Sequence, residues 1–254
     1  MALYRSRVFR LLGSSNVNLV TVAEKLACAV EQIAFSHPVA YVYNPLVYAS
    51  RTHTTYLQLY GIAPKRALFV GMNPGPYGMV QTGVPFGDVV MVRDWLGICG
   101  EVGKPAPEHP KKPVLGFSCR RREVSGRRLW SWAREHFETP ERFFAEFFVW
   151  NYCPLCFLEE SGRNLTPDKL KRIECQKLFL VCDAALVEIV NCLRPEFLIG
   201  VGAFAEGRLR KILSEDKSRV LRIPHPSPAN PAANRNDWAD KVSKILSEVG
   251  LLKK

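Results

Sequence analysis

The sequence predicts an α/β fold: a central parallel sheet of about four strands with helices on both faces. Three observations predict it. Short apolar runs at 66–71, 147–151, 197–202 and 220–224 alternate with longer stretches of helical periodicity. The runs close at turn signals (Gly71, Gly202, Pro224), and strands that alternate with helices build a parallel sheet covered on both faces. The chain has 254 residues, 47% of them apolar, which suffices for a sizeable core.

In chain order, residues 18–35 carry helical spacing, with Asn18 or Thr21 as cap. A second helix is expected at 45–60, closed by Gly61, and then the first strand at 66–71. Val89, Val90, Trp95 and Leu96 place a helix at 87–98. Residues 100–126, rich in Pro, Gly and basic side chains, read as a loop. Leu129, Trp130, Ala133 and Phe137 mark a helix at 126–137, followed by the strand at 147–151. Thr166-Pro-Asp opens a long helix, with Thr166 as N-cap and Pro167 at its first position, ending before Pro195. Strands follow at 197–202 and at 220–224, the latter running into His225. A last helix is expected at 231–249. There is no internal repeat or low-complexity tract.

Lys and Arg number 35 against 24 Asp and Glu, a formal charge of +11. Such a surplus favours a polyanionic partner, nucleic acid before an anionic membrane. No segment reaches the roughly 20 apolar residues of a membrane span, and the N-terminus leads into no long apolar stretch, so no secretory signal is expected. Eight scattered cysteines, several inside apolar runs, suit a reducing compartment. The phosphate-loop pattern and the Gly-x-Ser-x-Gly of serine hydrolases are absent, and Ser227 sits between prolines without an evident base.

In open parallel sheets, ligands bind beyond the carboxyl ends of the strands. Asn73, Asn151 and His225 follow the first, second and fourth strands. GMNPGP at 71–76, with Phe86-Gly-Asp beyond it, forms a stiff turn that lets a ligand approach the backbone. It reads equally as a strand-to-helix connection with an Asx turn at Asn73. HPSPAN at 225–230, followed by Pro231, Asn234 and Arg235, forms a rigid loop at a strand end.

GMNPGP, WNYCPL and HPSPAN, in this order and spacing, resemble the single-strand-selective monofunctional branch of the uracil-DNA glycosylase superfamily, from about residue 40 onward. The resemblance implies one glycosylase domain over 1–254 that flips uracil out of DNA and hydrolyses its N-glycosidic bond, leaving an abasic site for base-excision repair. It gives Phe86 the role of stacking on the base, and Asn151 that of reading it. One amide can accept from uracil N3–H and donate to O4, whereas cytosine reverses both groups. Asn73 would orient the attacking water without acting as a base. His225, with backbone N–H groups near Met72, would stabilise the departing uracil anion. Gly75 stands where some relatives carry Tyr, which leaves room at C5 and implies acceptance of 5-hydroxymethyluracil.

For DNA contact the resemblance points to Arg163, Asn164, Lys169 and Lys171, with a phosphate site at the helix N-terminus expected after Thr166. It also points to the loop of Ser227, Pro228, Ala229 and Asn230. The family loop carries Arg where this chain has Ala229, which removes a group that would enter the duplex; Arg235 is the candidate to compensate. Lys111, Lys112, Arg120, Arg121, Arg122, Arg127 and Arg128 form a basic cluster that reads either as phosphate contacts or as a solvated face. No metal or cofactor is expected. An iron–sulfur relative needs four thiolates, and Cys153-Pro-Leu-Cys156 is a lone CxxC. A non-catalytic binder of uracil-containing or damaged DNA is the rival from another class. The expected partners are single- and double-stranded DNA carrying uracil or an oxidised pyrimidine, and a downstream abasic endonuclease. A monomer with no membrane association is expected, nuclear in a eukaryote and cytoplasmic in a bacterium.

Overall fold

The computed structural model describes residues 18–212, 217–228, 230 and 238–252. Its helices are α1 (Leu19–Glu31), α2 (Pro45–Tyr48), α3 (Ser50–Tyr60), α4 (Met79–Thr82), α5 (Val89–Asp94), α6 (Val124–Phe137), α7 (Pro140–Glu146), α8 (Arg172–Leu193), α9 (Ala203–Ile212) and α10 (Trp238–Glu248). Its strands are β1 (Tyr41–Tyr43), β2 (Ala67–Gly71), β3 (Phe147–Asn151), β4 (Cys156–Leu158), β5 (Asn164–Leu165), β6 (Phe197–Val201) and β7 (Val220–Ile223).

The parallel sheet has the order β3-β2-β6-β7. Strands β2 and β3 are buried at every position, as strands covered on both faces must be. The chain leaves β2 toward β3 on one side, and leaves β6 toward β7 on the other. The carboxyl ends of β2 and β6 therefore flank a topological switch point, the place where such sheets hold ligands. Aromatic side chains fill one side of the core: Tyr60 stacks on Phe144 at 4.1 Å between ring centroids, and Phe69 packs edge-on to Phe147 at 5.7 Å.

A second, antiparallel sheet of order β1-β4-β5 was not expected from the sequence. Its strands have two or three residues each, too short to show alternation.

The long helix also departs from expectation. Thr166-Pro-Asp opens only a single 3-10 turn over Pro167–Lys169, and α8 begins at Arg172. The buried Glu174 fixes that start, because its carboxylate accepts from the Lys171 N–H at 3.2 Å and from the Ser36 N–H and hydroxyl at 2.8 and 2.6 Å. The helix-terminus phosphate site expected after Thr166 is therefore not formed there. The helix expected at 45–60 is divided into α2 and α3 around Ala49.

Candidate active site

Gly71 pairs with Asn151, and Val201 with Ile223. The segments leaving β2, β3 and β7 therefore emerge at one edge of the sheet. They enclose a cleft of about 360 Å³, lined among others by Met72, Asn73, Gly75, Met79, Phe86, Glu123, Ser125, Asn151, His225 and Ser227.

Phe86 has φ of 53°, in the left-handed region that bulky residues rarely adopt. Its carbonyl accepts from the Trp130 indole at 2.9 Å and from the Asp88 N–H at 2.8 Å. A Cβ on Gly126 would stand 1.8 Å from that oxygen, so only glycine lets α6 approach this closely. Asp88 is fully buried and caps α5, and Arg122 grips its carboxylate through two hydrogen bonds of 2.8 and 2.9 Å. Local strain at a ligand clamp persists only where the surroundings over-determine it, and these contacts do so. A Cβ on Gly71 would lie 2.5 Å from Asn151 Oδ1 and 2.6 Å from the Phe86 ring. Ring and amide thus converge on the end of β2.

Asn151 is buried, and its Nδ2 donates to Met79 Sδ at 3.3 Å. A thioether is a weak acceptor, which a ligand carbonyl would outcompete. Asn73 Nδ2 donates to the Leu155 carbonyl at 3.1 Å and to that of Pro74 at 3.3 Å. Its donors are thus held by the protein, which leaves Oδ1 as the acceptor end.

His225 Nδ1 accepts from the Ser227 N–H at 3.1 Å, and Asn230 Nδ2 donates to the His225 carbonyl at 2.8 Å. An accepting Nδ1 carries no proton, so the imidazole is neutral with its proton on Nε2. Burial lowers its pKa from the ordinary 6.5, in the same sense. The loop is tied down by Trp238, whose indole donates to the Pro224 carbonyl at 2.8 Å, and by Arg128, which donates to that of Pro226 at 2.7 Å.

Glu123 was not anticipated. It caps α6, accepting from the Ser125 N–H at 3.1 Å and from the Gly126 N–H, and burial pushes its carboxyl pKa up. Glu is a poor N-cap signal, so the sequence carries no local sign of this role.

The structure thus brings Met72, Asn73, Gly75, Phe86, Asn151, Asn164, His225 and Ser227 to one cleft. Arg163, Lys169 and Lys171 do not line it. Arg163 pairs with Glu159 at 2.6 Å, Lys169 lies 3.7 Å from Asp168, and the Lys171 backbone serves the cap of α8. Pro228 is exposed. Ala229 and Arg235 lie outside the described residues. Of the basic cluster, Arg122 is committed to Asp88 and Arg128 to the Pro226 carbonyl. Cys153 and Cys156 are buried, and burial lifts the Cys156 thiol to about 12. Among the described residues no three His, Cys, Asp or Glu side chains gather as a metal site.

Residues 59–247 match the family model of the uracil DNA glycosylase superfamily. The chain is similar to the single-strand selective monofunctional uracil-DNA glycosylase of Rattus norvegicus, with 47% identity over 230 residues, covering 90% of this chain and 82% of that protein. The corresponding protein of Bos taurus is 48% identical over 225 residues, covering 88% and 82%. Among solved structures, wild-type SMUG2 of Pedobacter heparinus matches with a TM-score of 0.62 at 18% identity, covering 90% of this chain and 97% of that one, a likeness of fold.

Proposed function

The chain belongs to the uracil-DNA glycosylase superfamily, and from that premise we infer that the cleft holds a uracil turned out of DNA and that its side chains carry the excision. The enzyme is a monofunctional uracil-DNA glycosylase of base-excision repair. The observation that carries the assignment of residues is the meeting of Asn73, Phe86, Asn151 and His225 in one cleft at the switch point of the sheet.

Phe86 stacks on the base, a contact worth roughly 1–3 kcal/mol. Asn151 exchanges its Met79 contact for uracil, donating to O4 and accepting from N3–H. Cytosine would set donor against donor there, an uncompensated burial. As the C1′–N1 bond breaks, its electron pair passes to the base and spreads onto O2. The neutral His225 donates Nε2–H to that oxygen, supported by backbone N–H groups near Met72. Asn73 Oδ1 accepts from a water and aims it at C1′. The water oxygen bonds to the sugar, and its proton is taken up by the departing uracil anion. The products are free uracil and an intact abasic strand, which a downstream abasic endonuclease would process. Ser227, Pro228 and Asn230 face the DNA, and Asn164 lines the cleft. The open space at Gly75 admits a 5-hydroxymethyl group. The reading covers both single- and double-stranded DNA and a monomeric enzyme.

The test is cleavage of a labelled oligonucleotide with one uracil, in EDTA, followed by alkali. Cutting that needs alkali and falls by about 100-fold or more in Asn73→Ala and in His225→Leu supports these roles. Stoichiometric binding without turnover would favour a non-catalytic reader of damaged DNA.

A further inference from the structure

A second depression adjoins the cleft. It is lined by Tyr77, Lys111, Pro113, Leu115, Arg120 and Arg121, among others, with a volume of about 330 Å³. Tyr77 lies between Gly75 and Gly78, both of which line the base cleft, so the two depressions share one loop. The buried Gln81 locks that loop to the basic segment. Its amide donates to the Pro76 carbonyl at 2.9 Å and to that of Pro113 at 3.1 Å, and its oxygen accepts from the Leu115 N–H at 2.8 Å.

The hydrogen bonding at Tyr77 specifies the ligand. Its oxygen accepts from Lys112 Nζ at 2.8 Å and from Arg121 Nη1 at 2.6 Å. A phenol oxygen has two lone pairs; both are occupied, so its own O–H points outward as a donor. Lys112 Nζ and the Arg121 guanidinium also lie 4.8 and 4.9 Å from the ring centroid. Cations already sit over the ring, which argues against base stacking there. Lys111, Arg120 and Arg121 are exposed, and none has a carboxylate partner among the described residues. The depression therefore offers an O–H donor and several cationic donors, and matches an anion rich in acceptor oxygens.

We propose that this depression is a phosphate subsite, in which Tyr77, Lys111, Arg120 and Arg121 hold the backbone of the single strand flanking the flipped uracil on one side. The proposal rests on the uracil-DNA reading of the cleft. Because Gln81 couples the two walls, a phosphate held here fixes the register of the strand over the base cleft. The subsite acts on substrate capture and not on bond cleavage, so it belongs to KM.

Three measurements on the full chain test it. Arg120→Ala/Arg121→Ala and Tyr77→Phe are compared with wild type on a single-stranded oligonucleotide with a central uracil, and on two versions truncated close to the uracil from either end. The double variant should raise KM on the full substrate by about 10-fold with kcat unchanged, and Tyr77→Phe should raise it by less. The difference from wild type should vanish on one truncated substrate and persist on the other. Binding of a uracil-free oligonucleotide, read by fluorescence anisotropy across a salt series, should lose about 0.7 from the log–log slope for each phosphate contact removed. Unchanged KM and salt slope in the double variant, or an equal loss on both truncated substrates, would overturn the subsite. Absence of uracil release by wild type would sink the catalytic reading instead, and the uracil-free binding series would still decide the subsite.

Discussion

His225 shows how one backbone hydrogen bond sets the chemistry of a side chain. The Ser227 N–H occupies Nδ1, and burial opposes charging, so both favour the neutral ring. Protonation has to displace the Ser227 contact, and it occurs only below the ordinary pKa of 6.5. In a pH series, kcat/KM should therefore hold level from neutrality to below 6.5 and fall only beneath it. That limb should be missing in His225→Leu. A limb centred above 6.5 that the variant abolishes would contradict the neutral tautomer. Gly75 allows a test of opposite character. A Cβ there meets nothing within 4 Å, so a substitution does not crowd the backbone at this point. Gly75→Tyr should keep the melting temperature of wild type and keep uracil excision within a few-fold. It should depress release of 5-hydroxymethyluracil by more than about 10-fold, since a clash at C5 affects only the substituted base. Equal loss on both bases would remove Gly75 from substrate choice.

At the scale of elements, the close approach of α6 to the loop before α5 holds Phe86 in place. Gly126→Ala places a methyl group 1.8 Å from the Phe86 oxygen, against backbone that cannot yield cheaply. Overpacking of this kind costs about 1–3 kcal/mol. The variant should melt lower and should also lose kcat/KM, because the Phe86 conformation relaxes with it. An active variant with lowered melting temperature would show that the ring does not need this clamp. The four parallel strands and the three polar strand ends were legible in the sequence, because buried strands write continuous apolar runs and their ends carry Gly, Asn or His. The clamp was not legible, since it depends on Trp130, 44 residues further along the chain, and on Gly126 meeting the same Phe86 carbonyl that the nearby Asp88 N–H also binds. The start of α8 was not legible for a related reason. Thr166-Pro167 is a sound local start signal, but the buried Glu174 bonding Ser36 from a distant segment decides where the long helix begins. Phe86 was legible as a cleft residue only through resemblance, as no local pattern distinguishes it from core packing.

For the whole molecule, acid stability turns on a residue remote from catalysis in role. His53 on α3 is fully buried; its Nδ1 lies 2.7 Å from the Gly83 carbonyl and donates to it, while Nε2 has no partner among the described residues. Burial lowers its pKa from 6.5 to about 4. The unfolded chain thus binds a proton there through that interval while the folded chain does not. The stabilising contribution is complete above 6.5 and is lost as pH falls toward 4, by roughly 3 kcal/mol in all at about 1.4 kcal/mol per pH unit. His225, also lowered, adds in the same direction. Glu123 runs the other way: its raised pKa stabilises the fold below the ordinary 4.5 and loses that effect as pH rises through the folded value. Glu174, lowered, keeps its contribution above 4.5 and loses it only at more acid pH. Between pH 7 and pH 5 the two histidines act to lower stability as pH falls, and Glu123 opposes them. Urea unfolding at those two pH values should show wild type losing stability that His53→Phe does not lose. The variant starts lower at pH 7, because the Gly83 carbonyl loses its donor at a cost of about 1–3 kcal/mol, so the slope with pH is the quantity that decides. Parallel slopes would mean that the fold admits solvent to His53 before it unfolds, and that the acid limit of the enzyme is set at His225.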